Sequence, residues 1–150
     1  MATTLIRAEN GGTARDDDGR LRLIVPAGAL TADTTVTIVA EAIAPLRGRR
    51  LLAAWRLVAH PAPAVLAVPA ILSVSIPRGA ARDLRLLVAG DGAAGDWQPL
   101  STKAANRRLD AETWYLPPSH GPPPARSSAL ICLDGPAPPA APTRKRTRKR

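Results

Sequence analysis

"GRLRLIVPAGAL", residues 19–30, runs from an alternating stretch into a short turn of small residues. Leu21, Leu23 and Val25 alternate with Arg20, Arg22 and Ile24, the period-two pattern of a strand with one face buried. Pro26, Gly28 and Ala29 then break the run, and Leu30 resumes the apolar pattern. Pro26 ends ladder donation, and Gly28 permits a tight reversal without a Cβ penalty. A strand that runs directly into such a turn reads as a corner, with Leu30 capping the open end of a core. Pro26 and Gly28 are therefore assigned a structural role, with a binding loop as the alternative.

Short β-type runs recur along the chain. Strands are expected near 3–8, 21–25, 35–41, 52–59, 70–76, 84–89, 96–100, 108–116 and 128–133. Turn signals separate them: "GG" at 11–12, "DDDG" at 16–19, "GDG" at 90–92 and "SHGPPP" at 119–124. Many short strands with this spacing indicate an antiparallel sandwich or barrel. Within them, Leu72, Val74 and Ile76 are expected to line a core while Ser73 and Ser75 face outward. Leu84, Leu86 and Val88 form a similar inward set. Trp97 and Trp114 read as aromatics packed in the core or at its rim.

Composition agrees with one β-rich domain. The 150 residues suffice to bury roughly 70% of the unfolded surface. With 3% aromatics and no Phe, the core must be filled by Val, Leu, Ile and Ala. Sixteen Pro scattered between apolar runs argue against long helices. Cys132 is the only cysteine, which excludes an internal disulfide and CxxC-type zinc sites. Its setting in "SSALICLDG" points to a buried, inert thiol. The amino-terminal "MATTLIRAENGG" lacks the apolar centre of a secretory signal, and no stretch approaches the roughly 18 apolar residues of a membrane span. An intracellular protein is expected, with nuclear placement and secretion from a longer precursor as alternatives.

The net charge of +9 is unevenly spread. Arg144, Lys145, Arg146, Arg148, Lys149 and Arg150 supply six of the nine charges, leaving +3 for all that precedes them. Three regions are expected: a folded domain over 1–134, a Pro/Ala-rich linker over 135–142, and a disordered basic tail over 143–150. The six cations form a candidate polyanion-binding segment, acting by counterion release on nucleic acid or another acidic surface. A solubilising end without a specific partner is the plainer alternative.

Signals for catalysis or metal binding are weak. His60 and His120 both sit in Pro-rich settings. Ser119 and His120 are neighbours, but adjacency does not create general-base geometry, and no third group orienting the imidazole is identified. "RDDDGR" at 15–20 lacks the alternating ligands and distal Glu of a calcium loop, and reads as a solvated turn. With no phosphate loop or nucleotide fingerprint, no cofactor and no metal are expected.

The corner, read with its flanks, resembles the start of a ZU-five domain, a β-sandwich family named from zonula occludens proteins and uncoordinated-type netrin receptors and also carried by ankyrins. The resemblance rests on Gly11, Gly12, Asp18, Gly19, Leu21, Leu23, Val25, Pro26, Gly28, Ala29 and Leu30, followed by Asp33, Thr34, Val36 and Ile38. Downstream, "LAVPAILSVSIP", "LRLLVAGDG" and "DWQPL" are similar to later family segments, so that it covers most of residues 11–134. It implies an all-β, antiparallel β-sandwich. Some family members cleave themselves at a His-Phe-Ser motif; here His120 is followed by Gly121 and Pro122, so self-cleavage does not carry over. The partner domains common in larger members are absent from these 150 residues. The resulting expectation is a non-enzymatic interaction module that contacts a protein partner through strand edges or loops. Nucleic-acid or acidic-surface binding through the tail is the alternative, and self-processing at Ser119–His120 a third.

Overall fold

A computed structural model describes residues 1–61, 64–79, 83–90, 97–119 and 127–137. Among them there are eleven strands and no helix: β1 (Ala2–Ile6), β2 (Gly12–Arg15), β3 (Leu21–Val25), β4 (Thr34–Ala40), β5 (Arg49–His60), β6 (Ala64–Ser75), β7 (Arg85–Gly90), β8 (Gln98–Pro99), β9 (Thr102–Ala105), β10 (Arg108–Leu116) and β11 (Ser128–Pro136). They form two antiparallel sheets, ordered β1-β4-β5-β11-β7-β8 and β2-β3-β6-β10-β9. The fold is an antiparallel β-sandwich. Among the described residues, no helix is long and apolar enough to cross a membrane.

Alternation builds the core. Leu21, Leu23 and Val25 of β3, Leu72 and Val74 of β6, and Leu109 and Ala111 of β10 point inward from the five-stranded sheet. They meet Val36, Ile38, Trp55, Leu57, Leu86, Ile131 and Leu133 of the six-stranded sheet. Each buried Leu or Ile contributes about 1.5–3 kcal/mol relative to exposure. Ile76 and Leu84 pack against this core from its margin, as expected of their inward sets.

The two sheets differ on their outer faces. Ala54, Leu87 and Cys132 of the six-stranded sheet form a second cluster, covered by Ile43, Leu46, Leu51 and Trp97. Strand β11 is thus buried on both sides, which is why "ALICL" is continuously apolar rather than alternating. No comparable cluster covers the five-stranded sheet among the described residues, and Ile24 and Trp114 are exposed there.

The corner at Pro26–Leu30 is tied down on several sides. Gly28 has φ +79°, and its N–H donates to Ala8 O at 3.1 Å. Ala29 N donates to Pro26 O, and Ala67 N of β6 donates to Ala29 O at 3.0 Å. Ala29 and Leu30 are buried in the core. A Cβ at Gly28 would meet nothing within 4 Å; the crowded glycine is Gly11, whose Cβ would lie 2.3 Å from Val25 O.

Several expectations are corrected. The Gly11–Gly12 pair is not merely punctuation, because Gly12 opens β2 and pairs with Val25. Strand β9 carries no alternating apolar signal and exists through its pairing with β10. Strands β5 and β6 begin at Arg49 and Ala64, earlier than their apolar patterning suggests. Strand β11 continues to Pro136, so Gly135 and Pro136, expected in a linker, pair with Arg50 and Arg49. Trp114 is 48% exposed, standing opposite a bulge in β6 rather than in the core. Asp16 is buried, not solvated: it accepts from Leu21 N and from Trp55 Nε1, both at 3.0 Å. Asp17 is exposed and takes the amino terminus.

Candidate functional site

The open face of the five-stranded sheet is organised by registry. Arg15 pairs with Arg22, Arg22 with Ser73, Ser73 with Asp110, and Asp110 with Lys103. One row therefore crosses all five strands, alternating outward with the core residues on either side of it. The adjacent row contains Ile24, Ile71 and Glu112.

Arg108 is clamped across this face. Its Nε donates to Ser73 Oγ at 2.7 Å, and its Nη2 donates to Ser73 O at 2.9 Å and to Arg20 O at 3.3 Å. Ser73 is thereby buried beneath a guanidinium, although it occupies an outward position as its pattern predicts. Burial, and then repulsion from Arg22, push the Arg108 pKa below the usual arginine value, with Asp110 and Asp16 opposing that shift. Arg22 Nε and Asp110 Oδ1 are both buried without a hydrogen-bond partner.

Two concavities open on the same sheet. One, of about 750 Å3, is lined by Ile71, Thr102, Lys103, Asp110, Glu112 and Trp114 among others. The other, of about 580 Å3, is formed by Ile76, Pro77, Arg78, Gly79 and Arg107 where β6 leaves the sheet. Arg107 is in the left-handed region at φ +60°, and its carbonyl accepts from Ile76 N.

The edges are unequal. Strand β8 has only two residues, one of them Pro99, and so offers little ladder. Strands β1 and β2 turn into one another through the Arg7–Gly11 bridge. Strand β9 pairs only with β10 among the described residues. The two-residue turn Asn106–Arg107, with φ of +51° and +60°, sets Ala105 opposite Arg108 as the closing hydrogen-bonded pair. The backbone groups of Thr102 and Ala104 consequently point to the open side.

The remaining candidates separate. Arg144, Lys145, Arg146, Arg148, Lys149 and Arg150 lie outside the described residues, as does His120. His60 is exposed at the end of β5, and Ser119 follows β10 in a half-buried position. Cys132 is fully buried; burial and the neighbouring Asp134 push its thiol up to about 12, against a lowering by Arg85. Asp134 itself is buried between Arg49 and Arg85, at 3.0 and 2.8 Å. Among the described residues, no three His, Cys, Asp or Glu side chains gather as a metal site.

The open-face arginines escaped sequence reasoning because each sits in a different segment; the only available signal was that Arg15, Arg22 and Arg108 all fall at outward positions of their strands. The class defined by this fold is an antiparallel β-sandwich with one covered face and one polar, open face. No protein-family model matches the chain, and no curated protein matches it.

Proposed function

We propose that the protein is a non-enzymatic β-sandwich interaction module that takes an extended segment of a protein partner as an added strand on β9. The observation that supports this reading is the outer side of β9, at Thr102 and Ala104, which no strand among the described residues pairs, beside a groove that holds Trp114. Strand addition supplies affinity through main-chain hydrogen bonds and specificity through neighbouring side-chain pockets. A ZU-five-like assignment is retained as part of the proposal; it carries no partner with it.

The test is a comparison of the full chain with Ala104→Pro, which deletes an open-edge N–H at a position where an edge strand tolerates proline. Proteins captured by the wild-type chain should be lost by Ala104→Pro while the melting temperature stays nearly unchanged. Equal capture by both refutes the edge reading.

A second reading, sequence-independent binding of nucleic acid, is favoured by the six cations within residues 143–150.

A further inference from the structure

We propose that the open face of the five-stranded sheet is itself a track for the phosphates of a nucleic-acid backbone, made by Arg15, Arg22, Arg108, Arg107 and Arg78. This rests on the second reading above, and moves part of the binding from the tail to the folded domain.

The five cations come from four separated segments: Arg15, Arg22 and Arg108 stand at outward positions of the sheet, and Arg107 and Arg78 at its end, where β6 leaves it. Arg15 and Arg22 are cross-strand neighbours on β2 and β3. Arg108 starts on β10 and reaches back over β6, held by Ser73 and Arg20 O. Arg107 is its chain neighbour, and shares a concavity with Arg78. Strands lie about 4.8 Å apart, so the path from β2 to β10 alone runs about 14 Å. That exceeds one phosphate group and suits a chain of them.

Two features single out an anionic oxygen as the missing partner. Arg22 Nε is a buried donor with no acceptor. Arg22 and Arg108 are like charges held together at a partly desolvated site, where an anion between them would relieve the repulsion and complete the hydrogen bonding. Other charges bound the track. Asp110 lies on the far side of Ser73 from Arg22, with Lys103 beyond it and Glu112 in the next row. Asp110 therefore repels a phosphate from the β10 side and confines it over Ser73. Asp18 is exposed in the β2–β3 turn, while Asp16 is occupied by Trp55 and Asp17 by the amino terminus. The value of +3 outside the tail is an average that conceals this one-sided placement.

The experiment measures anisotropy of a labelled DNA duplex of arbitrary sequence across a salt series, always with the full chain. Four proteins are compared: wild type, a variant with all six tail cations changed to Gln, that variant with Arg15→Gln, and that variant with both Arg15→Gln and Arg22→Gln. Arg15→Gln alone, at an exposed side chain, guards against a folding artefact, and melting temperatures are recorded for all. With the tail neutralised, binding should persist with a slope of log K against log salt of about −4.5, given about 0.9 per engaged phosphate. Each of Arg15→Gln and Arg22→Gln should reduce that slope by about 1 and weaken binding alike for all sequences. Loss of all binding on tail neutralisation, or an unchanged slope in the Arg15/Arg22 variant, overturns this inference and leaves the tail reading intact. Absence of DNA binding by the wild-type chain overturns the second reading as well. Binding of inorganic phosphate without binding of DNA overturns the assignment to a nucleic-acid backbone.

Discussion

The indole Nε1 of Trp55 donates to Asp16 Oδ2 at 3.0 Å, joining the middle of β5 in one sheet to the β2–β3 turn of the other. The second carboxylate oxygen accepts from Leu21 N at the start of β3, so one buried side chain satisfies two donors. Asp16→Ala should leave both donors unpaired, at about 1–3 kcal/mol for each buried group. Urea denaturation should show a loss of about 2–6 kcal/mol, with Asp16→Asn losing less because it keeps an acceptor. Stability unchanged in Asp16→Ala would mean that water replaces the carboxylate.

Gly11 and Gly28 both have positive φ but should respond differently to a side chain. Gly28→Ala meets open space, so only left-handed backbone strain applies, about 1–2 kcal/mol. Gly11→Ala adds a clash with Val25 O and with the backbone at Pro26 and Ala27. Its cost should exceed about 3 kcal/mol, in the range of severe backbone substitutions. Thermal melts of the two variants give the order directly; the reverse order would refute this account of the corner.

Asp134 is fully buried between two arginines, and Arg49 also donates to Asp83 O at 3.0 Å. Removing the carboxylate strands two guanidiniums, which for a buried pair costs about 3–5 kcal/mol. Arg85 is 38% exposed and Arg49 20%, so solvent screening should bring Asp134→Ala toward the lower figure. Arg85→Ala, which leaves Arg49 on the carboxylate, should cost less. Chemical denaturation of both variants checks the order.

The Cys132 thiol should be unreactive toward disulfide reagents in the native state at pH 8 and become reactive on unfolding. Its native pKa of about 12 stands above the ordinary thiol value. The native state therefore holds this proton more tightly than the unfolded chain. The contribution is full below pH of about 8.5 and falls as pH rises toward 12, by up to about 1.4 kcal/mol per unit. Subtracting the pH dependence of Cys132→Ala from that of the wild type isolates it. Rapid native labelling at pH 8 would contradict the burial.

Strands β3, β4 and β10 were legible because their apolar residues alternate, and alternation is a property of a single strand on a half-buried surface. The buried thiol in "ALICL" was legible for a related reason: an unbroken apolar run needs cover on both faces. Strands β2 and β9 were not legible, since Gly-Thr-Ala-Arg and Thr-Lys-Ala-Ala carry little β signal and are strands by virtue of β3 and β10 beside them. Trp114 misled because apolar character does not report which side of a strand is covered.

Spacing within short windows establishes the all-β class, the position of the Pro26–Leu30 corner and the concentration of charge in residues 143–150. Packing of the two sheets, by contrast, is what buries Asp16 against Trp55, covers one sheet face while leaving the other open, and brings Arg15, Arg22 and Arg108 onto that open face. Local periodicity sets which side of a strand is apolar, whereas cross-strand register sets neighbours. Register depends on pairing between segments as far apart as β5 and β11, where Arg49 lies opposite Pro136, and no local pattern encodes that pairing.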